Sequence, residues 1–381
     1  MKKICFITTI SGTLKSFVLP TAKYIHDHTD WDISFICNYN EDFKNILPEY
    51  IHYLPVKMTR GISLSGFKSL IEIIKIFKRE KFDLIQYSTP NASLYASIAG
   101  WLTKIPVRLY CQWGMVFVGF EGIKRKIFKM VEKLVCILST YIEPDSRSNL
   151  NFSIKEGLYP KEKGSVVWNG SACGVNLEKF NINKKETYRN EIRKQLNIND
   201  TDFVFGFVGR ITRDKGVNEL FSAFKDLCQN NQNVKIMMVG YLDADQTINK
   251  ELFEWAKTCN KIIFTGYTNV VEQYLSAMDT YILPSYREGF GMGVIEAQAM
   301  GVPVIVTDIP GPIDAMLDNK TGLIVPKKDI IALQNAMQKM ISDEAFAMDC
   351  GKRAINHVQQ NFEQQKLFEQ ILKDRKKLLQ K

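Results

Sequence analysis

The chain runs twice through one alternation: a short β-branched or apolar run, a few polar residues, then a longer amphipathic stretch. That rhythm marks βαβ units, whose strands are buried on both faces and read as nearly continuous apolar segments. In the first half it predicts strands at Ile4 to Thr8, Ile33 to Cys37, Leu84 to Tyr87, Val107 to Cys111, Tyr141 to Glu143 and Ser165 to Trp168. Helices are expected between them at about Phe17 to His28, Gly66 to Arg79, Ala92 to Thr103, Ile123 to Ile137 and Ser146 to Glu156. A polar segment, Asn181 to Thr201, interrupts the pattern and predicts a helix of its own at Glu186 to Leu196. The series then restarts, with strands expected at Phe203 to Val208, Val234 to Val239, Ile262 to Phe264, Thr280 to Leu283, Val304 to Val306 and Gly322 to Val325. The expected fold is α/β, two Rossmann-like doubly wound domains facing a cleft, over residues 1–170 and 171–361, followed by a last helix at about 362–381.

Composition removes other classes of function. Eight cysteines form no C-x-x-C pair and stand near no histidine at zinc spacing, which speaks against a metal or redox site and for reduced thiols. Thr8, Thr9, Ser11 and Gly12 interrupt the first apolar run too early for a signal peptide, and no stretch reaches the ~20 apolar residues of a membrane span. The expected location is therefore the cytoplasm. Residues 1–170 hold 23 Lys and Arg against 15 Asp and Glu, a net +8 of the chain's +9. A basic half suits an anionic partner; with no recognition helix or aromatic-interleaved RNA signature, an anionic membrane surface is favoured over nucleic acid.

In doubly wound sheets ligands bind beyond the carboxyl ends of strands. One constellation there is Tyr286-Arg287-Glu288-Gly289-Phe290-Gly291-Met292-Gly293-Val294-Ile295-Glu296. Its glycines let backbone approach a ligand, and the helix start behind them offers N–H groups and a positive dipole end to a phosphate, bracketed by Glu288 and Glu296. A second is Gly209-Arg210-Ile211-Thr212-Arg213-Asp214-Lys215-Gly216, whose Arg fork and Lys point charge suit a departing diphosphate. Asp243-Ala-Asp245 has the form of a divalent-cation site, but it follows a strand of a second Rossmann series, and Arg210 and Lys215 already supply positive charge. No metal and no cofactor are expected.

Gly209-Arg210-x-x-x-x-Lys215-Gly216, Glu288-Gly-Phe-Gly-x-x-x-x-Glu296, Gly301-Val-Pro303 and Asn169-Gly170-x-x-x-Gly174-Val175-Asn176-x-x-x-Phe180 together resemble the retaining nucleotide-sugar glycosyltransferases of family 4, which have the GT-B fold. Pro106-Val107-Arg108 through Gly114 and Phe120-Glu121-Gly122 to Glu132-Lys133 look most like transferases that extend lipid-linked sugars in capsule and surface-polysaccharide assembly. The resemblance implies that Arg210 and Lys215 act on the donor diphosphate and Glu288 on the transferred sugar. It implies further that Phe290, Gly291 and Met292 give N–H groups to sugar and phosphate, that Glu296 takes the ribose hydroxyls, and that Gly266 and Tyr267 hold the base. Gly209, which opens the loop that carries Arg210 and Lys215, is placed on the donor side. In the first domain Ser11, Gly12 and Thr13 replace the family's glycine-rich loop, and Trp113-Gly114 stands where many relatives have His-Gly. Ser11, Gly12, Thr13, Trp113, Glu121, Lys124, Arg125 and Lys126 are placed on the acceptor side. The last helix is implied to pack back on the first domain.

The reading is a metal-independent retaining transferase that moves a sugar from a UDP-sugar to a sugar on undecaprenyl diphosphate, peripheral at the inner face of the cell membrane. The donor sugar is taken as an N-acetylaminodeoxyhexose such as N-acetylfucosamine. Alternatives are a non-catalytic sugar-nucleotide-binding protein and a GT-B epimerase or phosphorylase. No sequence feature specifies an oligomeric state.

Overall fold

A computed structural model describes residues 1–59, 65–242 and 248–380. Contacts divide the chain into two units, Met1–Cys173 with Gln365–Lys381, and Gly174–Gln364. Asp243 and Asp245 lie outside the described residues.

The first unit is built on a six-stranded parallel sheet of order β3-β2-β1-β4-β5-β6. Its strands are β1 Lys3–Ile7, β2 Asp32–Ile36, β3 Ile51–Tyr53, β4 Leu84–Tyr87, β5 Val107–Gln112 and β6 Tyr141–Pro144. The helices Ser65–Glu80, Pro90–Leu102 and Gly122–Leu138 share one apolar core with the sheet, through residues such as Ile73, Phe77, Tyr95, Ala96 and Val135 against Ile7, Ile85 and Tyr110. A second core joins Ile4, Phe6, Phe35 and Leu109 to Ile25 of the helix Leu19–Asp27 and to Leu372 and Leu378 of the helix Gln364–Gln380.

Arg375 fastens that last helix to the sheet. Its side chain is 1% exposed, its guanidinium meets both oxygens of Glu143 on β6, one at 2.9 Å, and its Nε–H donates to Gln86 Oε1 on β4 at 3.1 Å. A buried guanidinium needs this paired, forked geometry to offset its lost hydration.

Two sequence expectations fail here. Ser165 to Trp168 is not a strand: Gly164 makes one bridge to Ile142, Ser165 N–H donates to Ile142 O, and the chain then leaves the sheet, with Trp168 at φ +51° and Val167 and Trp168 packed against the last helix. The sixth strand is instead Ile51–Tyr53, hidden in the sequence by its three-residue length and by the prolines on either side, Pro48 and Pro55.

The second unit repeats the design. Strands β7 Phe203–Val208, β8 Val234–Val239, β9 Ile262–Gly266, β10 Thr280–Leu283, β11 Val304–Thr307 and β12 Gly322–Val325 pair in parallel in the order β12-β11-β10-β7-β8-β9. The apolar runs are buried on both faces: Val204, Met237 and Tyr281 enter one core, Phe205, Met238 and Ile282 the other. The order reverses between β10 and β7, the switch point at which loops leave to opposite sides and open a crevice.

Candidate active site

Both motif loops of the second unit leave from that switch point. After β7 the chain turns at Gly209 and Arg210, then makes a short helical turn, Arg213–Lys215, that ends at Gly216 in the left-handed conformation, φ +71°. A Cβ on Gly216 would lie 1.9 Å from the carbonyl oxygen of Pro284, so glycine lets this loop touch the loop after β10. Tyr286 N–H donates to Asp214 O at 2.9 Å across the same seam.

The contact brings the two halves of the motif together. Lys215 Nζ donates to Glu288 Oε1 at 2.6 Å, and the Ser285 hydroxyl donates to the same oxygen at 2.7 Å. Both ionic side chains are partly open, Lys215 by 20% and Glu288 by 12%. Beside them Arg287 donates to Asp214 Oδ2 at 2.9 Å, and Thr212 donates to Asp214 Oδ1 at 2.5 Å. Burial pulls the Asp214 carboxyl upward, but the Thr212 hydroxyl and the charges of Arg287, Lys215 and Arg210 outweigh it and hold the group below its usual range. Arg210, half-buried, belongs to this field of cations.

Past Glu288 the chain tightens at Gly291, φ +83°, and starts the helix Met292–Ala299, which has no side-chain cap. A helix start of this kind presents the positive end of the helix dipole, which favours an anion beside it. Phe290 is 2% exposed and anchors the turn against Phe362, ring centroids 5.3 Å apart. Gly293 is required by packing, since a Cβ there would fall 2.4 Å from Tyr281 Oη. Glu296, on the second turn, keeps part of its surface open, yet the surrounding protein pushes its carboxyl up to about 7; Lys179 draws it down and Glu272 raises it further. Gly266 and Tyr267 lie at the carboxyl end of β9, Gly266 at φ +75° with open space where a Cβ would stand and Tyr267 69% exposed.

Three side chains to which the sequence assigned no role stand inside or beside the motifs. Ser285 adjoins the motif and orients Glu288. Lys179 precedes Phe180 and pairs with Glu272 at 3.5 Å. Tyr286 donates to Glu219 Oε1 at 2.5 Å while Lys328 stands 5.0 Å over its ring.

In the first unit Ser11, Gly12 and Thr13 form the first turn of the helical segment after β1, which continues through a π turn, Leu14–Val18, into Leu19–Asp27. Gly12 is exposed, with open space where a Cβ would stand. Trp113 follows β5 and packs on Phe17 with centroids 5.9 Å apart. Glu121 precedes the helix Gly122–Leu138 without capping it. Lys124, Arg125 and Lys126 do not act as one cluster: Lys124 and Lys126 are exposed, while Arg125 donates to Glu156 at 2.9 Å and lies over the Phe117 ring.

Comparison with known proteins gives this arrangement a family. The model of glycosyl transferases group 1 matches residues 188–357, and that of glycosyl transferase 4-like proteins matches residues 3–142. The capsular polysaccharide biosynthesis glycosyltransferase CapM of Staphylococcus aureus is 31% identical over 341 residues, covering 89% of this chain and 88% of CapM. The chain belongs to the glycosyltransferase 4-like family. The UDP-Gal:alpha-D-GlcNAc-diphosphoundecaprenol alpha-1,3-galactosyltransferase of Escherichia coli is 28% identical, over 86% of this chain and 85% of that one. The crystal structure of Anabaena HepE in complex with UDP and glucose superposes with a TM-score of 0.80 at 19% identity, over 98% of this chain and 99% of HepE, which establishes the GT-B fold for this glycosyltransferase.

Proposed function

We propose that this glycosyltransferase moves a sugar, with retention of anomeric configuration and without a metal ion, from a UDP-sugar to a hydroxyl of an undecaprenyl-diphosphate-linked sugar in capsule or surface-polysaccharide synthesis, at the inner face of the cell membrane. The observation that carries this reading is the Lys215–Glu288 pair, held by Ser285 a few residues before an uncapped helix start. The names of the Staphylococcus aureus and Escherichia coli relatives, and the UDP in the HepE structure, support the substrate classes.

As the bond from anomeric carbon to phosphate oxygen lengthens, negative charge grows on the diphosphate. Lys215, Arg210 and the N–H groups of Phe290, Gly291 and Met292 are the donors that stabilise it. Glu288 faces the anomeric centre as it becomes cationic. The acceptor hydroxyl attacks on the face the diphosphate leaves and passes its proton to the departing phosphate oxygen, so charge and protons balance with no side-chain base. Glu296 accepts from the ribose hydroxyls, and the backbone at Gly266 and Tyr267 holds the base. Before the donor binds, Lys215 and Glu288 neutralise each other; donor binding redirects the ammonium to phosphate and frees the carboxylate for the sugar. Ser11, Gly12, Thr13, Trp113 and Glu121 serve the acceptor.

The test is a panel of UDP-sugars, UDP-N-acetylaminodeoxyhexoses included, with a synthetic polyprenyl-diphosphate sugar, in buffer with and without a chelator, the product anomer being read by NMR. The expected product keeps the donor's configuration and forms in chelator. UDP binding without transfer or hydrolysis of any donor would overturn the reading in favour of a non-catalytic binder.

A further inference from the structure

The helix Gly122–Leu138 carries two apolar arcs. Phe128, Val135 and Cys136 turn inward to the sheet of the first unit, together with Glu132, which accepts from Tyr110 Oη at 2.8 Å and Gln112 Nε2 at 2.6 Å. Among the described residues nothing covers the opposite arc: Ile123 is 77% exposed, Ile127 47%, Met130 72%, Leu134 41% and Ile137 60%. At roughly 100° per residue these five fall within an arc of about 80°, running the full length of the helix. Scattered exposed apolar residues need no explanation, but a continuous stripe on a soluble surface does.

The charges of this helix sort by the same geometry. Arg125 and Lys129 turn away from the stripe and share the Glu156 carboxylate, at 2.9 and 2.8 Å. Lys124 on one flank of the stripe, and Lys126 and Lys133 on the other, are exposed. Apolar length in the middle and lysines along both edges is the cross-section of a helix that lies in a lipid interface, with side chains among the acyl chains and ammonium groups level with anionic headgroups. A second copy of the chain fits this face poorly, because its own lysine rims would meet these. The other two helices in the same layer also expose large apolar residues, Phe67 and Ile71 on Ser65–Glu80, and Trp101 and Leu102 at the end of Pro90–Leu102.

We propose that the stripe Ile123, Ile127, Met130, Leu134 and Ile137 inserts into the surface of an anionic bilayer, with Lys124, Lys126 and Lys133 on the headgroups. This rests on the reading that the acceptor is lipid-linked, and it adds an apolar anchor to the attraction expected from the net charge of residues 1–170. Insertion along the stripe lays the helix parallel to the membrane.

The experiment is co-sedimentation of the full chain with phosphatidylglycerol-containing and neutral vesicles over a salt series. The variants are Ile127→Gln/Met130→Gln/Leu134→Gln and Lys124→Gln/Lys126→Gln/Lys133→Gln. The wild type is expected to prefer anionic vesicles and keep much of its binding at high salt, because apolar insertion is not screened. The stripe variant is expected to need roughly tenfold more lipid at every salt concentration, and the lysine variant to lose binding mainly at low salt. Transfer to a short-chain, water-soluble acceptor serves as the control, and the stripe variant should match the wild type there. A stripe variant that sediments like the wild type, or wild-type binding erased by salt alone, would overturn the proposal. So would a lipid-free wild-type dimer that the stripe variant turns into a monomer. If neither protein transfers sugar to the soluble acceptor, the catalytic reading fails while the vesicle result still decides the surface.

Discussion

The two units share a topology and differ in how they use charge. In the second, the loops at the switch point bring cations and carboxylates into partly open pairs, Lys215 with Glu288 and Arg287 with Asp214. In the first, the crevice between β1 and β4 is lined by hydroxyls: Thr9 N–H donates to Thr89 Oγ1 at 2.9 Å, and Ser11 and Thr13 follow. In the Arg375–Glu143 pair of the first unit, which joins residues 232 apart in the chain, the cation is closed off from solvent, its side chain 2% exposed against 20% for Lys215. One unit keeps its charges where a substrate can rearrange them, and the other uses them as a rivet. Exposure of the cation separates the two uses, since a half-open ammonium can exchange partners at small cost and a buried guanidinium cannot.

That contrast is broken most severely at the rivet. Arg375→Met leaves the half-buried Glu143 and the buried Gln86 without their partner and should cost about 3 kcal/mol or more of stability, read by thermal and urea unfolding; a variant as stable as the wild type would mean that the last helix is held by apolar packing alone. Next is Glu288→Gln, expected to lower kcat by about 10²–10³-fold while UDP affinity by calorimetry is kept or rises, because in the proposed mechanism the carboxylate acts on the sugar and its loss leaves Lys215 free for the diphosphate. Equal losses in both would place Glu288 in nucleotide binding instead. Gly216→Ala forces a left-handed residue to carry a Cβ against Pro284 O, and should cost roughly 1–2 kcal/mol from backbone conformation alone, with a fall in kcat as the Lys215 loop shifts. An unchanged kcat would show that the seam between the loops does not set the catalytic geometry.

The smallest effect concerns pH. Glu296 titrates at about 7 in the folded protein, above the usual carboxyl range, so between about 4.5 and 7 the folded state holds a proton that the unfolded state has lost. Stability therefore falls as pH rises through that window. Glu296→Gln removes this penalty and should raise Tm by roughly 2–4 °C at pH 8 with no gain at pH 4. An equal gain at both pH values would trace the effect to packing.

How much of this the sequence discloses follows from the same contrast. The chemistry of the second unit lies in contiguous motifs, so Arg210, Lys215, Glu288 and Glu296 stand out from the order of residues alone. Both sheets are readable because fully buried strands leave unbroken apolar runs. The failures have another origin. Ile51–Tyr53 is too short for an alternation to show, and Ser165 to Trp168 has strand composition but only one bridge. Arg375 is one cation in a cluster of Lys373, Lys376 and Lys377, and nothing local says that it alone turns inward. The helix Gly122–Leu138 has apolar residues on two arcs, and periodicity does not say which arc a sheet will cover. Nor does the run Lys124-Arg125-Lys126 disclose that Arg125 is tied to Glu156 while its two neighbours stay exposed.

The rivet also orders events during synthesis. About 190 residues separate Cys173 from Gln365, and at roughly 5–20 residues per second the ribosome needs on the order of 10–40 s to make them. During that time Glu143 waits for Arg375, and the core that Leu19, Ala22 and Ile25 already share with the sheet waits for Leu372 and Leu378. The unit begun first is finished last, so a nascent chain holds a core still open at the seat of its last helix while the second unit emerges and folds.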